Sequence, residues 1–196
     1  TTREALLFEG PNGWAEWSPF TEYADEEAAV WLAAAIEFAF GAEPALVRTE
    51  IGINATLPAV SPAEVAGALA PFGKFRTVKI KVAERGQGLN DDLARVAEVR
   101  RLYPDAHIRL DANGGYEVDQ AVALGRALFE NGVPVDYLEQ PVRTIAELAE
   151  VRLKLKQLGI LVAADESVRK VSDPLAVAHA GAADILVIKA APLGGI

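Results

Sequence analysis

Charged side chains recur along this chain where short apolar runs end, and their types are those of a metal-assisted proton-transfer site. Four of them follow Lys81 at intervals of 24 to 30 residues, and the full set is Lys79, Lys81, Asp111, Glu139, Asp165 and Lys189. Carboxylate oxygens are ligands that Mg²⁺ prefers, and a lysine with a lowered pKa can serve as a base. The pattern therefore indicates a divalent metal site with a base beside it.

Lys79 and Lys81 lie two residues apart in a β-forming stretch, so both side chains project from one face of a strand. Two ammonium groups this close lower each other's pKa, and partial burial acts in the same direction. We therefore expect Lys81 to remove a proton α to a carboxylate, while the charge of Lys79 lowers the pKa of Lys81. A bound metal would offset the charge that develops, and Lys189 would be a second acid/base group or an electrostatic stabiliser.

The elements that position these residues follow from their spacing, which is about the length of one strand, one helix and the return. Apolar runs predict strands at 51–59, 77–82, 108–112, 137–140, 161–164 and 185–189. Capping signals and periodicity predict helices between them, one beginning after Ser61 and the others at 91–102, 118–131, 145–158 and 174–180. Polar residues at several successive strand ends, without a glycine-rich first turn, favour an α/β fold of the (β/α)8-barrel type over a doubly wound sheet.

The amino-terminal region follows a different pattern. Two β-type runs, 4–9 and 14–19, flank the turn signal Pro11-Asn12-Gly13 and predict a hairpin. A helix is expected at 26–40, with Asp25 as its N-cap and Gly41 as its stop. A hairpin followed by a helix, without the alternating strands and helices of a parallel sheet, is typical of a small α+β module.

We therefore expect two domains, a small α+β domain at 1–48 and a barrel domain at 49–196. Six strands are fewer than the eight of a closed barrel, and the chain opens on Thr1 rather than on methionine. For these reasons we expect both domains to be incomplete in this chain.

Composition limits the classes of function. The 196 residues are 51% hydrophobic, which favours a sizeable core over disorder. A net charge of −9 and the lack of a basic tract argue against nucleic acid and anionic membranes as partners. Cysteine is absent, which excludes disulfides and thiolate ligation of a metal and is compatible with a cytoplasmic protein.

Taken together and in order, the motifs resemble those of the enolase superfamily, in its muconate lactonising enzyme-like branch. The resemblance covers most of the chain and is carried by Lys79-x-Lys81, Asp111-Ala-Asn113-Gly, Glu139-Gln140-Pro141, Asp165-Glu166-Ser167 and Lys189 with Pro-Leu-Gly-Gly after it. It implies an α+β capping domain on a modified (β/α)7β barrel. An early capping strand with a lid loop, and the closing barrel strands, would then lie outside this chain.

The resemblance also implies roles for particular residues. Asp111, Glu139 and Asp165 would hold Mg²⁺, and Lys81 would be the base with Lys79 assisting it. Asn113 matches the asparagine that usually follows the first metal ligand and is a candidate substrate-binding residue. Lys189 would stabilise an enediolate, and the partner would be a small-molecule carboxylate.

Within this branch, the stretch GWAEWSPF at 13–20 resembles the GxGExxP hairpin in the form found in o-succinylbenzoate synthases, with Ala15 in place of the second glycine. These enzymes syn-dehydrate 2-succinyl-6-hydroxy-2,4-cyclohexadiene-1-carboxylate in menaquinone biosynthesis. An N-acylamino acid racemase or dipeptide epimerase, with Lys81 and Lys189 as opposed bases, is the alternative enzyme. Muconate cycloisomerisation and a non-catalytic barrel also stay open, as does the oligomeric state.

Overall fold

A computed structural model of the chain describes residues 4–42, 45, 47–169 and 175–195. These residues form two compact units. The larger unit comprises Gly52–Ser167 and Leu175–Val187, and the smaller unit contains the other described residues, including those from Ile188 onwards. Within the part of the chain that the structure describes, no helix is long and apolar enough to cross a membrane.

The described strands, in chain order, are β1 Leu6–Gly10, β2 Gly13–Trp17, β3 Ala55–Leu57, β4 Thr77–Lys81, β5 His107–Asp111, β6 Tyr137–Glu139, β7 Leu161–Ala164 and β8 Ile185–Leu186. The described α-helices are α1 Asp25–Phe40, α2 Val65–Leu69, α3 Leu89–Leu102, α4 Val118–Glu130, α5 Ile145–Lys156, α6 Ala176–His179 and α7 Ala190–Leu193. Short 3₁₀ turns cover Pro62–Glu64, Ala70–Phe72 and Glu166–Val168.

In the smaller unit, β1 and β2 form the predicted antiparallel hairpin, which packs on α1. Asn12 in the hairpin turn donates its side-chain amide to the carbonyls of Phe38 and Gly41, at 3.1 and 2.8 Å, and so satisfies the end of α1. The predicted stop at Gly41 is confirmed. The prediction of Asp25 as N-cap is wrong, because Asp25 is the first helical residue. It lies with two glutamates in the first turn, where acidic side chains interact favourably with the helix dipole.

In the larger unit, β3 to β8 form one parallel sheet in sequential order, which confirms the predicted α/β class. The strand expected at 51–59 is restricted to β3, because only Ala55–Leu57 pair with β4. Pro58, which lacks a backbone donor, directly follows the last paired residue. The strand expected at 185–189 is restricted to β8. The chain turns into α7 directly after Lys189, so that residue does not end a strand. Of the helix expected at 174–180, α6 covers the centre, and Pro174 lies outside the described residues.

The core of the larger unit comes from alternation along the strands. Apolar side chains on one face are fully buried: Val78, Ile80, Ile108, Leu110, Leu138 and Val162. Because side chains alternate across a strand, the intervening charged residues of β4, β5 and β6 share the opposite face. The sheet therefore places its charged side chains together while its other face packs with the helices.

Candidate active site

The register of the sheet brings the ends of successive strands to one level. Lys81 pairs with Asp111, Asp111 with Glu139, and Glu139 with Ala163. Asp165 follows the end of β7, and its negative charge acts on Glu139. The three carboxylate residues are almost wholly buried, with exposures of 1%, 0% and 1% for Asp111, Glu139 and Asp165. Burial of three acids requires nearby positive charge.

The two lysines supply that charge. The Lys79 ammonium donates to both Asp111 and Glu139, with Nζ 2.8 Å from an oxygen of each. The Lys81 Nζ lies 2.6 Å from Asp111 Oδ2, and its side chain is 33% exposed. Lys79 thus bridges two acids from different strands, while Lys81 is the more accessible of the two amines.

The pKa values show which interaction dominates at each group. Burial acts to lower the pKa of Lys79, but its hydrogen bonds to Asp111 and Glu139 outweigh burial and raise it. This corrects the prediction of a lowered pKa for Lys79, because the sequence pattern did not place two carboxylates against it.

The two acids next to Lys79 are shifted in opposite directions. Burial would raise the pKa of Asp111, but hydrogen bonds from Lys79 and Lys81 hold it below its usual value. Burial raises the pKa of Glu139, with repulsion from Asp111 and Asp165 adding to it and the Lys79 hydrogen bond only partly opposing it. Asp111 is therefore held as the carboxylate, whereas the ionised form of Glu139 is disfavoured.

Asn113 lies in a left-handed turn after β5, with φ of 46°. Its backbone N–H donates to Asp111 Oδ1 at 3.1 Å, and its side-chain oxygen accepts from Lys81 Nζ at 2.5 Å. Its amide nitrogen donates to Glu166 Oε1 at 3.0 Å. Asparagine tolerates positive φ and can bond its own turn, so this residue connects Lys81, Asp111 and the turn that follows Asp165.

Gln140 was not predicted as a site residue, although it belongs to the Glu139-Gln140-Pro141 motif. Its side chain is fully buried, and its backbone has φ of 36°. Gln140 Oε1 accepts from the backbone N–H groups of Asp165 and Ser167, at 3.1 and 3.2 Å, while its Nε2 donates to Val142 O and Ser167 Oγ at 2.8 Å. This amide holds the turn that carries the third acid. The only signal for it in the sequence was its position directly after Glu139.

Lys189 is placed differently from the other candidates. It belongs to the smaller unit and occupies the N-cap position of α7, with an exposed side chain. The structure therefore brings together the lysines and acids of the larger unit but does not show Lys189 on the sheet that carries them.

Asp111, Glu139 and Asp165 are the candidate ligands of a metal ion. Within the described residues, no group of three or more His, Cys, Asp or Glu side chains is arranged to hold a metal ion as it stands. The lysine ammonium groups instead contact Asp111 and Glu139. Glu139 Oε2 is nonetheless buried without a hydrogen-bond partner. An unsatisfied buried carboxylate oxygen among three acids fits a hard divalent cation by its chemistry.

Comparison with known proteins agrees with the resemblance read from the motifs. The family described as "Enolase C-terminal domain-like" matches residues 62–196, and "Enolase N-terminal domain-like" matches residues 1–39. A curated o-succinylbenzoate synthase from Mycobacterium ulcerans is 54% identical over all 196 residues. The chain spans 58% of the length of that relative.

Solved structures support the fold. A dipeptide epimerase from Enterococcus faecalis matches with a TM-score of 0.77 at 22% identity, over 99% of this chain and 70% of that one. An enolase from Bradyrhizobium, complexed with magnesium and mandelic acid, matches with a TM-score of 0.64 at 22% identity, over 74% of this chain and 40% of that one. At these identities the likeness concerns the fold alone.

Proposed function

We propose a function for this chain from one premise, that it belongs to the enolase superfamily, whose C-terminal domain-like family matches residues 62–196. The proposed function is that of an o-succinylbenzoate synthase, a lyase that dehydrates 2-succinyl-6-hydroxy-2,4-cyclohexadiene-1-carboxylate in menaquinone biosynthesis. The observation that carries the proposal is the 54% identity across the whole chain to a synthase of that name. Since the chain spans 58% of that relative, the activity is proposed for the whole protein.

Lys81 is the proposed catalytic base. As a neutral amine it takes the proton α to the ring carboxylate, and the electrons of the broken C–H bond form an enediolate. The Lys81 ammonium then returns this proton to the hydroxyl group on the adjacent carbon, the C–O bond breaks, and water leaves as the ring becomes aromatic. One amine can serve both steps if the proton and the hydroxyl lie on the same face, which is a syn elimination. The partial exposure of Lys81, at 33%, leaves this amine accessible.

The other site residues have supporting roles in the proposal. Asp111, Glu139 and Asp165 would hold Mg²⁺, consistent with their burial and with the unsatisfied oxygen of Glu139. When bound, Mg²⁺ would supply positive charge against the negative charge that develops on the substrate carboxylate. Lys79 would balance the charge of the acids, and Asn113 would orient Lys81 and contact the substrate. Lys189 is proposed to stabilise the enediolate.

We also propose a cytoplasmic location and a small-molecule carboxylate as the partner. A chain without cysteine is compatible with the reducing cytoplasm. With a net charge of −9, a small carboxylate held at a local positive site is a more suitable partner than nucleic acid or a membrane. The proposed domain boundaries are a capping domain at 1–48 and a barrel domain at 49–196.

The experiment that tests the function is dehydration of the cyclohexadiene carboxylate by the purified intact protein, followed by the absorbance of the aromatic product. We expect turnover in the presence of Mg²⁺ and its loss when a chelator removes the metal. N-succinylamino acids in D₂O are the second substrate set, because a racemase exchanges their α-hydrogen and a strict synthase does not. α-Hydrogen exchange without any dehydration would contradict the synthase assignment and favour the racemase.

A further inference from the structure

Helix α3 carries two acid–arginine pairs with the same i,i+3 spacing and opposite surroundings. Glu98 and Arg101 pair at the surface, where the arginine side chain is 67% exposed. Asp92 and Arg95 pair in the interior, where both side chains are 1% exposed. Replacing a buried ion pair by apolar residues is often neutral or stabilising, so such a pair is weak evidence for stability. Stability alone therefore does not explain why the Asp92–Arg95 pair is buried.

Arg95 donates to backbone carbonyls at the ends of two neighbouring strands. Its Nη1 lies 2.9 Å from Lys81 O, at the end of β4, and its Nε lies 2.6 Å from Val60 O, shortly after β3. Its Nη2 donates to Gln87 Oε1, and Gln87 in turn donates to Ala59 O at 2.8 Å. One planar cation thus holds the backbone of the proposed base.

Asp92 extends these contacts to the next loop. Its Oδ1 accepts from Arg95 at 2.9 Å, while its Oδ2 accepts from the backbone N–H of Ala83 at 3.2 Å and from the Tyr116 hydroxyl at 2.6 Å. Ala83 has φ of 60°, a conformation that an alanine rarely adopts without support from its surroundings.

The loops after β4 and β5 also touch directly. A Cβ atom at Gly115 would lie 2.6 Å from Ala83 O, so only glycine permits this approach. Asp92 contacts both loops, one through Ala83 and the other through Tyr116. The position of the turn that carries Asn113 is thereby coupled to the position of the Lys81 backbone.

We infer that Arg95 and Asp92 are positioning residues that set Lys81 against Asp111 and Asn113 by holding the Lys81 carbonyl and the two loops. This inference rests on the proposed function, in which Lys81 is the base. Neither residue touches the reacting atoms. Their contribution is to the geometry of proton transfer, where small displacements are costly.

The test compares two double variants of the intact protein. Arg95→Met with Asp92→Asn removes both buried charges and the bond to Lys81 O, and Arg101→Met with Glu98→Gln makes the matched change at the surface of the same helix. We expect kcat for dehydration to fall roughly tenfold to a hundredfold in the interior variant, with KM and the Mg²⁺ dissociation constant changed by less than about twofold. The surface variant should keep wild-type kcat. An interior variant that folds and retains kcat would overturn the inference.

A second measurement does not depend on activity. Amide hydrogen exchange, followed by mass spectrometry over residues 77–85, should be faster in the interior variant and unchanged in the surface variant. If the wild-type protein does not dehydrate the substrate, the proposed function fails, while faster exchange still supports the positioning role. Unchanged exchange in a folded interior variant would count against that role.

Tyr116→Phe provides a milder variant in case the interior pair is needed for folding. It removes only the hydroxyl that donates to Asp92. We expect kcat to fall by roughly threefold to tenfold at constant KM, since one of the contacts that hold the two loops is lost. A folded Tyr116→Phe protein with wild-type kcat would overturn the inference.

Discussion

The strands of the parallel sheet carry ion pairs at both ends, and the two groups differ in burial. At the amino-terminal end, His107 and Arg109 contact Asp136 at 3.1 and 3.3 Å, and their side chains are 67% and 35% exposed. At the carboxyl end, Asp111 and Glu139 are almost fully buried against Lys79. In the buried group, burial and hydrogen bonding from lysine act in opposite directions on the pKa values of Asp111 and Glu139.

This difference indicates why the same residue types can have different roles. Water screens an exposed pair, so neither partner depends much on the other. In the buried group each charge depends on its neighbours, because desolvation penalises any acid that lacks a cation. The carboxyl-end group is therefore the one in which a single substitution should change the chemistry.

The largest expected effect follows from Lys81→Ala, which removes the proposed base. We expect kcat for dehydration to fall by about 10²- to 10⁴-fold, the usual contribution of general acid–base catalysis. The control is Lys154→Ala on α5, where an exposed lysine pairs with Glu150 at 2.7 Å. Turnover that survives Lys81→Ala would remove Lys81 from this role.

The next largest effect is expected on metal binding, which we compare between a variant at each end of the sheet. Asp111→Asn should weaken Mg²⁺ binding by roughly tenfold or more, because it removes a charged oxygen from the proposed metal site. Asp136→Asn makes the same chemical change at the amino-terminal end and should leave the affinity unchanged. Isothermal titration calorimetry measures both, and equal affinities in the two variants would contradict the metal site.

A third variant, Lys79→Met, tests the electrostatic coupling. It removes hydrogen bonds that favour the ionised forms of Asp111 and Glu139, so the pKa of both acids should rise. Carbon-13 NMR titration of the carboxyl groups measures this. A lower pKa for either acid in the variant would contradict the assigned coupling.

The same variant predicts a change in acid stability. The pKa of Asp111 is lower in the folded chain than its ordinary value of 3.8, so ionised Asp111 stabilises the fold above that value. This stabilisation is lost as the pH falls from about 4 through the folded pKa. Lys79→Met should weaken this part of the acid dependence, as measured by urea unfolding at several pH values. An unchanged slope below pH 4 would show that Lys79 does not stabilise the carboxylate.

The smallest effect is expected for stability at the amino-terminal end. Asp136→Asn breaks the pairs with His107 and Arg109, but exposed pairs typically contribute less than about 1 kcal/mol. Urea unfolding at neutral pH should therefore give nearly the wild-type free energy. A loss of several kcal/mol would show that burial is not what separates the two groups.

Much of the fold could be predicted because its signals are local. Short apolar runs, the capping signal at Ser61 and helix-ending glycines located the βα units to within a few residues. The errors lie where tertiary contacts override local preference. The stretch 51–59 has strand composition, but only Ala55–Leu57 pairs with β4.

The sequence predicted the residues of the candidate site except for Lys189, which belongs to the smaller unit, but it did not predict the contacts among them. Spacing at strand ends indicated Lys79, Lys81 and the three acids, because equal βα units bring such residues to one edge of the sheet. The direction of the Lys79 pKa was predicted wrongly, since it depends on which carboxylates touch the ammonium group. Gln140 and Arg95 were not singled out, because a buried amide and a buried arginine look like surface residues in a sequence.

By itself the sequence determined the family, the α/β class and the kinds of residues at the strand ends, since residue types and their spacing are properties of the chain. Only the tertiary structure decided which charges meet. Lys79 and Glu139 lie 60 positions apart and are joined by a 2.8 Å hydrogen bond, and Arg95 reaches the carbonyl of Lys81 from a helix. Such contacts depend on register and burial, which arise only when the strands pair and water is excluded.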